Sequence, residues 1–332
     1  MKNFVLVCAL CVLAGGVLAG DPEKSAAKPA ELTIAVIPKG TTHEFWKSIH
    51  AGAIQAEREL VGVKTIWKGP LKEDDREAQI RVVENFINTK VSGIVLAPLD
   101  DTALRAPVAA AAKAGIPVVI IDSGLKCDDY TSFVATDNYK GGFLGGEHMI
   151  KLLQGKGKVV MLRYQEGSAS TMEREKGFLD AIAKAPGIQV VSANQYGGAT
   201  KDSAYKVSEN LLNPLKDKGR LTVDGIFCPN ESTTFGMLRA LQNAGLAGKV
   251  FFVGFDSSEK LVEALKKGEI NGLILQNPVK MGYLGVKTLV AHLRGEKVEK
   301  RVDTGVGLVT RENMEQPEIK ELLSPDLNKW LK

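Results

Sequence analysis

The chain has 332 residues, of which 44% are hydrophobic, 6% aromatic and 25% charged, and its formal net charge is +4. The charges are spread along the chain without a basic block, which argues against a nucleic-acid-binding protein. Outside the N-terminal apolar run that holds Cys8 and Cys11, the sequence contains no CxxC, and it has no HExxH and no His/Cys cluster, so it predicts neither a metal site nor another cofactor.

The N-terminus has the pattern of a secretory signal peptide. After a positive start, the apolar run over residues 4–18 is too short to span a bilayer comfortably, and Val17 and Ala19 have the spacing of a cleavage site. We therefore expect residues 1–19 to be removed on export and residues 20–30 to form a polar linker. A membrane anchor and a lipoprotein are the alternatives, but neither cysteine of the run follows a lipobox-like pair of small residues.

Strands and helices alternate after the linker. The predicted strands of the first half are residues 32–37, 63–67, 93–98 and 116–122, and its predicted helices are 45–60, 74–88 and 102–114. The second half has predicted strands at 158–163, 188–195, 223–230 and 249–256, and predicted helices at 171–184, 201–212 and 233–243. Continuous apolar strands that alternate with amphipathic helices predict parallel sheets covered on both faces.

The two halves repeat one plan. "VSGIVLAPLDDTA" at 91–103 parallels "VDGIFCPNESTT" at 223–234, and each is followed by a helix, a glycine, a strand and Asp-Ser, at Asp122 and Asp256. We therefore predict an α/β fold with two similar doubly wound parallel-sheet lobes and a ligand cleft between them. Ligands of such sheets bind at the carboxyl ends of the strands, and Lys39 follows the first strand there.

No catalytic constellation is apparent. Asp122 and Asp256 are expected on opposite lobes, so they are not an obvious acid–base couple, and no GxSxG motif occurs. The glycine-rich "GGFLGG" at 141–146 precedes a predicted helix, and we interpret it as close helix packing rather than a phosphate loop. The sequence therefore predicts a binding protein and not an enzyme.

The segment "IPKGTTHEFW" at 37–46 suits a sugar or polyol. Aromatic rings such as Phe45 and Trp46 cover the apolar faces of these ligands, while Asp, Asn and Gln side chains pair with their hydroxyl groups. The alternative is that one or both rings serve as a hydrophobic staple or as core packing.

Several segments in order carry a family resemblance: "IAVIPKGTTHEFWKSIHAGA", "GIVLAPLD", "GIPVVIIDS", "VATDNYKGG", "CPNESTTFGMLRAL", "FFVGFDSS" and "LILQNP". Over about residues 31–315 the chain resembles the bacterial periplasmic sugar-binding proteins of the ribose/galactose-binding type, the solute receptors of ABC importers. "IPK", the two aromatic residues and "WKGP" look most like the branch that includes the autoinducer-2 and rhamnose receptors.

The resemblance implies a set of ligand-binding residues: Lys39, His43, Phe45, Trp46, Asp122, Asn230, Asp256 and Gln276. Each has a structural alternative. Asp122 could cap a turn, Asn230 and Asp256 could be helix N-caps, Lys39 could be a surface lysine, and Gln276 could only stabilise a crossover. We also expect the side chains of Trp46 and Asp122 to be partly open to water without a ligand.

The sequence departs from the ribose pattern at two arginines. Ser123 stands where the ribose receptor has an arginine after the aspartate, and Met172 aligns with the second arginine. Arg163 and Arg174 lie nearby, and the sequence leaves open which of them replaces it. Ribose is therefore not the first choice of ligand.

The resemblance also implies the arrangement of the lobes. The first would comprise residues 31–136 and 277–304, the second residues 137–276 and 305–332, with three crossovers near 136–138, 276–277 and 304–306. A monomer in the periplasm would close on its ligand and deliver it to the membrane permease, with no nucleic acid or cofactor involved. We expect no required disulfide, because the two mature cysteines follow strands of different lobes.

Three other functions are alternatives to import. A receptor for chemotaxis or signalling that binds a sugar or autoinducer-2-like ligand without import would use the same fold. The effector domain of a lactose-repressor-type regulator is disfavoured by the signal peptide, and an exported hydrolase by the missing nucleophile.

Overall fold

The computed structural model of the protein describes Met1 and residues 31–331, so the predicted signal peptide and linker lie outside the described residues, apart from Met1. The strands are β1 (Leu32–Ile37), β2 (Val63–Trp67), β3 (Gly93–Leu96), β4 (Val118–Ile121), β5 (Ser132–Ala135), β6 (Gly157–Arg163), β7 (Ile188–Tyr196), β8 (Lys216–Asp217), β9 (Arg220–Leu221), β10 (Gly225–Phe227), β11 (Phe251–Phe255), β12 (Gly272–Leu275), β13 (Arg301–Asp303) and β14 (Gly307–Val309).

The helices alternate with these strands. They are α1 (Glu44–Glu59), α2 (Arg76–Asn88), α3 (Arg105–Lys113), α4 (Asn138–Leu152), α5 (Ala169–Ile182), α6 (Lys201–Leu212), α7 (Glu231–Asn243), α8 (Glu259–Lys267), α9 (Pro278–Leu293) and α10 (Pro317–Leu323). Within the described part of the chain, no helix is long and apolar enough to cross a membrane.

Two six-stranded sheets organise the described residues. The first has the order β13-β5-β4-β3-β1-β2 with every neighbouring pair parallel, and the second has the order β14-β12-β11-β10-β6-β7 with only β14 antiparallel. Strands β3, β4 and β12 are fully buried, as expected for a sheet covered on both faces. The predicted fold class is confirmed. We call the layer around the first sheet the first lobe and the layer around the second sheet the second lobe.

The chain passes between the lobes three times. β5 belongs to the first sheet, whereas the next helix, α4, packs on β11 and β12 of the second. β12 belongs to the second sheet, and α9 returns to pack on β3, β4 and β5, while β13 and β14 lie in different sheets. The hydroxyl oxygens of Thr136 and Thr304 are 3.3 Å apart, so two of the crossovers touch. The residue bounds predicted for the lobes stay a prediction, because residues from Glu31 onward form one compact unit.

Glycines allow one close helix pair in each lobe. A Cβ on Gly52 of α1 would lie 1.9 Å from the carbonyl oxygen of Val279 in α9, and one on Gly142 of α4 would lie 1.8 Å from that of Arg174 in α5. Any larger residue would force these helices apart. The segment 141–146 therefore serves close packing, but it lies inside α4, so the expectation that it precedes a helix is wrong.

Some predicted boundaries are also wrong. The strand predicted over 223–230 is only β10, and helices predicted to begin at residues 171 and 233 begin two residues earlier, as α5 and α7. At α7 the reason is a cap: the Asn230 side chain accepts a hydrogen bond from the Thr233 amide, so helical geometry starts at once after Asn230.

The two cysteines within residues 31–331 lie in different cores. Cys127 packs against the cluster that contains β3 and β4 residues such as Ile94, and Cys228 is fully buried in a second-lobe cluster with Ile226. Both are free thiols in the structure. Burial raises the pKa of both thiols, which disfavours the reactive thiolate.

Candidate functional site

One cleft between the lobes is lined by all eight residues that the sequence analysis selected. Six further residues line it: Glu73, Tyr164, Ser170, Thr171, Arg174 and Glu231. The space that these side chains leave free is about 30 Å³, far below the roughly 300 Å³ at which small-molecule pockets begin. A ligand of sugar size therefore enters only if the lobes part or the side chains rearrange. That the eight residues bind a ligand stays a prediction.

Lys39 is a buried cation at the end of β1. Its Nζ lies 3.0 Å from Asp122 Oδ2 of the same lobe, and it donates hydrogen bonds to Ser168 Oγ at 3.2 Å and Ser170 Oγ at 3.0 Å in the second lobe. Only 3% of Lys39 is exposed, so it is not a surface lysine. Lys39 thus joins a carboxylate of one lobe to hydroxyl groups of the other.

Asp122 and Asp256 hold equivalent positions in the two lobes. Each directly follows a central strand, β4 or β11, and each has a positive φ, 61° and 66°, which is costly for a residue other than glycine. Such strain concentrates at ligand-binding sites. The N-cap of α8 is Ser258, so the alternative that Asp256 is the N-cap is wrong.

Arg174 of α5 lies between these two carboxylates. Its Nη2 is 3.9 Å from Asp122 Oδ1, and its Nη1 is 3.9 Å from Asp256 Oδ2. Asn138 holds the guanidinium by accepting from Nε at 2.8 Å, and the ring of Phe255 lies 4.1 Å beneath it. Arg174 is therefore the arginine of the cleft.

Arg163 has a different place, at the edge of the second lobe. Its Nε is 3.6 Å from Glu175 Oε2, and it donates to Tyr196 at 3.0 Å. The sequence left open which of the two arginines lies in the cleft. Arg174 does, because α5 directs its side chain toward the carboxyl ends of the strands.

Neutral donors hold Asp256 from two directions. Gln276 Nε2 donates to its Oδ1 at 2.7 Å, and the Glu231 amide donates to its Oδ2 at 3.0 Å. Burial raises the pKa of Asp256 to about 6, although the charge of Arg174 and the hydrogen bond from Gln276 oppose the shift. Asn230, which caps α7, also lines this side of the cleft, so the cap and the predicted site residue are compatible.

His43 and Glu73 form a buried ion pair that sequence reasoning missed. Glu73 Oε1 contacts His43 Nδ1 and accepts from Trp46 Nε1 at 2.7 Å, and its Oε2 accepts from Tyr164 of the second lobe at 2.6 Å. Burial opposes both charges, but the pair outweighs it: the pKa of Glu73 falls to about 2 and that of His43 rises to about 9. Glu73 follows no strand directly, so no sequence signal marked it.

The two adjacent aromatic residues have different environments. Trp46 is 3% exposed and belongs to the core beneath β1, whereas Phe45 is half-buried and meets it edge-on with ring centroids 5.0 Å apart. The core-packing alternative is therefore correct for Trp46, which also lines the cleft. In this closed arrangement Trp46 and Asp122 are both buried, because the lobes meet over them. That they are partly open to water in an open, unliganded form stays a prediction.

Further contacts join the lobes along the rim of the cleft. Gln165 donates to the Glu73 carbonyl oxygen at 2.9 Å, Arg76 donates to the Glu166 carbonyl oxygen at 3.2 Å, and the Asp101 amide donates to the Gly167 carbonyl oxygen at 2.8 Å. The structure thus has the closed arrangement of the two lobes. In residues 31–331, no group of three His, Cys, Asp or Glu side chains is placed to hold a metal ion.

Comparison with known proteins agrees with this geometry. Residues 34–297 match the family model described as a periplasmic binding protein domain. The D-allose-binding periplasmic protein of Escherichia coli is 31% identical over 275 residues, which cover 80% of this chain and 85% of that protein. The ribose import binding protein of Haemophilus influenzae is 30% identical over 301 residues, covering 91% and 99%.

Two solved structures extend the comparison. A carbohydrate transporter solute binding protein from Agrobacterium radiobacter, in complex with D-arabinose, has a TM-score of 0.83 and 37% identity, covering 89% of this chain and 100% of that one. An ABC transporter solute binding protein from Agrobacterium vitis with bound D-fucose has a TM-score of 0.84 and 38% identity, covering 88% and 100%. The narrower resemblance to autoinducer-2 and rhamnose receptors is not addressed by these proteins and stays a prediction.

Proposed function

The chain belongs to the periplasmic binding protein family, and from that premise we propose that it captures a small sugar or polyol by closing its two lobes and delivers it to the permease of an ABC importer. The observation that carries this proposal is the cleft itself. Both lobes contribute buried charged groups to it, and two of its cations, Lys39 and Arg174, face the two strand-end carboxylates.

The chemistry of these groups matches that of a polyhydroxylated ligand. Carboxylate and amide oxygens of Asp122, Asp256 and Asn230 would accept hydrogen bonds from hydroxyl groups, whereas Lys39 and Arg174 would donate to hydroxyl and ring oxygens. A sugar offers both donors and acceptors, so it would replace the present contacts between the cations and the carboxylates. The ring of Phe45 would cover an apolar face of the ligand.

Closure would be the working step. A ligand that contacts both lobes favours the closed arrangement, and its binding energy is available only when both lobes touch it. No bond of the ligand is made or broken, so the protein would act as a carrier and not as an enzyme. The relatives include import binding proteins and a transporter protein solved with a sugar, which supports import over a receptor that only signals.

The proposal includes a location and partners. The chain would be exported, lose residues 1–19, and work as a monomer in the periplasm, where it docks on a permease at the inner membrane. Co-purification of the sugar-loaded protein with that permease, and stimulation of the transporter's ATPase, would test the import step.

The ligand is tested by a thermal-shift and calorimetry screen of the mature chain. The panel is D-ribose, D-allose, D-arabinose, D-fucose and myo-inositol, and at least one of them should raise the melting temperature by mass action. Lys39→Met should abolish or strongly weaken binding, while Lys47→Met, an exposed lysine on α1, is the matched control. Binding that survives Lys39→Met unchanged, or a panel without any binder, would contradict the proposed site.

A further inference from the structure

A second cavity lies behind the cleft. Its volume is about 480 Å³, and its walls are the start of α1, the loop between β11 and α8, and the C-terminal residues 322–327. We call it the rear cavity. Phe45, Asp256 and Gln276 line both the rear cavity and the cleft, so these three side chains form the wall between the two spaces.

Two buried polar atoms in the walls of the rear cavity lack partners. Ser258 and Gln276 are each 4% exposed, and within the described residues neither Ser258 Oγ nor Gln276 Oε1 has a hydrogen-bond partner. The amide nitrogen of Gln276 is already used, since it donates to Asp256. Buried acceptors without a donor are costly, so a molecule that supplies N–H or O–H groups here would remove that cost.

The charge of the rear cavity selects the kind of molecule. Glu44 and Glu259, the first residues of α1 and α8, are exposed residues in its lining, and neither forms an ion pair within residues 31–331. Of the other two carboxylates of the lining, Asp256 lies 3.9 Å from Arg174, and Glu263 is paired with two lysines of its own helix. The lysine of the lining, Lys266, lies 3.9 Å from Glu315 outside the cavity. The free groups are therefore acceptors with negative charge.

We propose that the rear cavity binds a small cationic molecule with hydroxyl groups, of the amino sugar class, in addition to the ligand of the cleft. Its ammonium group donates to Gln276 Oε1 and to the carboxylates of Glu44 and Glu259, and a hydroxyl group pairs with Ser258 Oγ. The carbon skeleton lies against Phe45 and Leu323. This inference goes beyond sugar capture and does not depend on which sugar the cleft takes.

The occupant would also affect closure. Glu44 belongs to the first lobe, whereas Ser258 and Glu259 belong to the second, so a molecule that contacts all three joins the lobes. Any ligand that favours the closed arrangement raises the affinity of a second ligand that also favours it. We therefore expect the bound amino sugar to strengthen sugar binding in the cleft.

The test uses D-glucosamine as the probe and isothermal calorimetry on the mature chain. To weaken any binding of the probe in the cleft, the first titration uses the Asp122→Asn chain, which should still bind glucosamine in the rear cavity. Adding Glu259→Gln or Ser258→Ala should weaken that binding at least threefold, while Glu269→Gln, an equal loss of charge at the distant carboxylate bonded to Gln242, should leave it unchanged. D-Gluconate, which is anionic, should not bind.

A second titration measures coupling in the parent chain. Saturating glucosamine should raise the affinity for the cleft sugar at least threefold, and Glu259→Gln should remove this gain without changing sugar binding in the absence of glucosamine. The proposal is overturned if glucosamine does not bind at millimolar concentration, if Glu259→Gln binds it like the parent, or if sugar affinity does not respond. A cleft that binds no sugar would contradict the proposed function instead, since the first titration needs none.

Discussion

Asp122 and Asp256 stand at the same point of the repeated plan, yet the two lobes surround them differently. Asp122 faces the Lys39 ammonium at 3.0 Å, whereas the groups within hydrogen-bonding distance of Asp256 are neutral donors, Gln276 and the Glu231 amide. Arg174 lies 3.9 Å from both. The backbone of the repeat thus places a carboxylate in each lobe, with different partners around it. Burial raises the pKa of Asp256 to about 6, although the charge of Arg174 and the hydrogen bond from Gln276 oppose the shift.

Removing the cation that both carboxylates share should have the largest effect. In Arg174→Met, Asp256 keeps no cation nearby and Asp122 keeps only Lys39, so we expect a loss of about 3–5 kcal/mol in the free energy of unfolding at pH 7, as for a broken buried ion pair. Denaturant titration measures it. Arg239→Met removes an exposed arginine paired with Asp202 at 3.5 Å and should cost less than about 1 kcal/mol. Equal losses would show that Arg174 does not serve the carboxylates.

The adjacent residues Trp46 and Phe45 allow a second comparison, within the first lobe. Trp46→Ala should lower stability by about 3–5 kcal/mol because the ring is core packing and donates to Glu73. Phe45→Ala should instead weaken sugar binding by about 2–4 kcal/mol, the size of a stacking anchor, with a smaller change in melting temperature. Calorimetry and thermal unfolding of both variants separate the two roles, and a Phe45→Ala chain that binds like the parent would remove Phe45 from the site.

Asp122 and Asp256 should also contribute differently to the free energy of sugar binding. Asp122→Asn should cost about 1.5–3 kcal/mol of sugar affinity, as for hydrogen bonds to a charged group. Asp256→Asn should cost about 0.5–1.5 kcal/mol, because the amide oxygen of asparagine can still accept from one of the two neutral donors. Titration of each variant with the identified sugar gives the comparison, and equal costs would mean that the difference in partners does not reach the ligand.

The smallest expected effect is the pH dependence of Asp256. Because the folded-state pKa of about 6 exceeds the ordinary value of 3.8, protonation of Asp256 favours the folded form. The group therefore raises the free energy of unfolding as pH falls from about 6 toward 4 and lowers it as pH rises. Sugar binding that uses the carboxylate should change the other way, weakening by up to about tenfold between pH 7 and pH 5. Asp256→Asn, compared with the parent at each pH, should lack both trends. An unchanged pH profile in that variant would assign the titration to another group, such as Glu175, whose pKa burial raises to about 7.

The export prediction can be checked separately. Mass spectrometry of the secreted protein should show Gly20 as the first residue. A mature chain that retains Cys11 with a lipid attached would contradict it.

Local pattern was sufficient for the repeat and for the strand-end residues. In a doubly wound sheet, buried apolar runs such as 93–98 form central strands. The residues that follow such strands lie at the carboxyl edge of the sheet, so Lys39, Asp122 and Asp256 could be selected without a structure. Asn230 also ends a predicted strand, Phe45 and Trp46 were selected as rings that suit a sugar face, and His43 and Gln276 came from the family resemblance. The structure places all five around the same cleft.

Only the tertiary structure determines which other residues of the cleft these side chains contact. Glu73, Tyr164 and Arg174 follow no local rule that marks a site. The contacts of Tyr164 with Glu73 and of Arg174 with Asp122 join residues of different lobes, so they depend on how the two lobes meet. Periodicity also could not tell which of the two rings, Phe45 or Trp46, is buried. Adjacent residues of a helix point about 100° apart, and the position of β1 beneath α1 decides which of them faces the core. A linear pattern records which face of an element is apolar. The charge of a buried group depends on side chains brought within a few ångströms by the fold, and that information exists only in three dimensions.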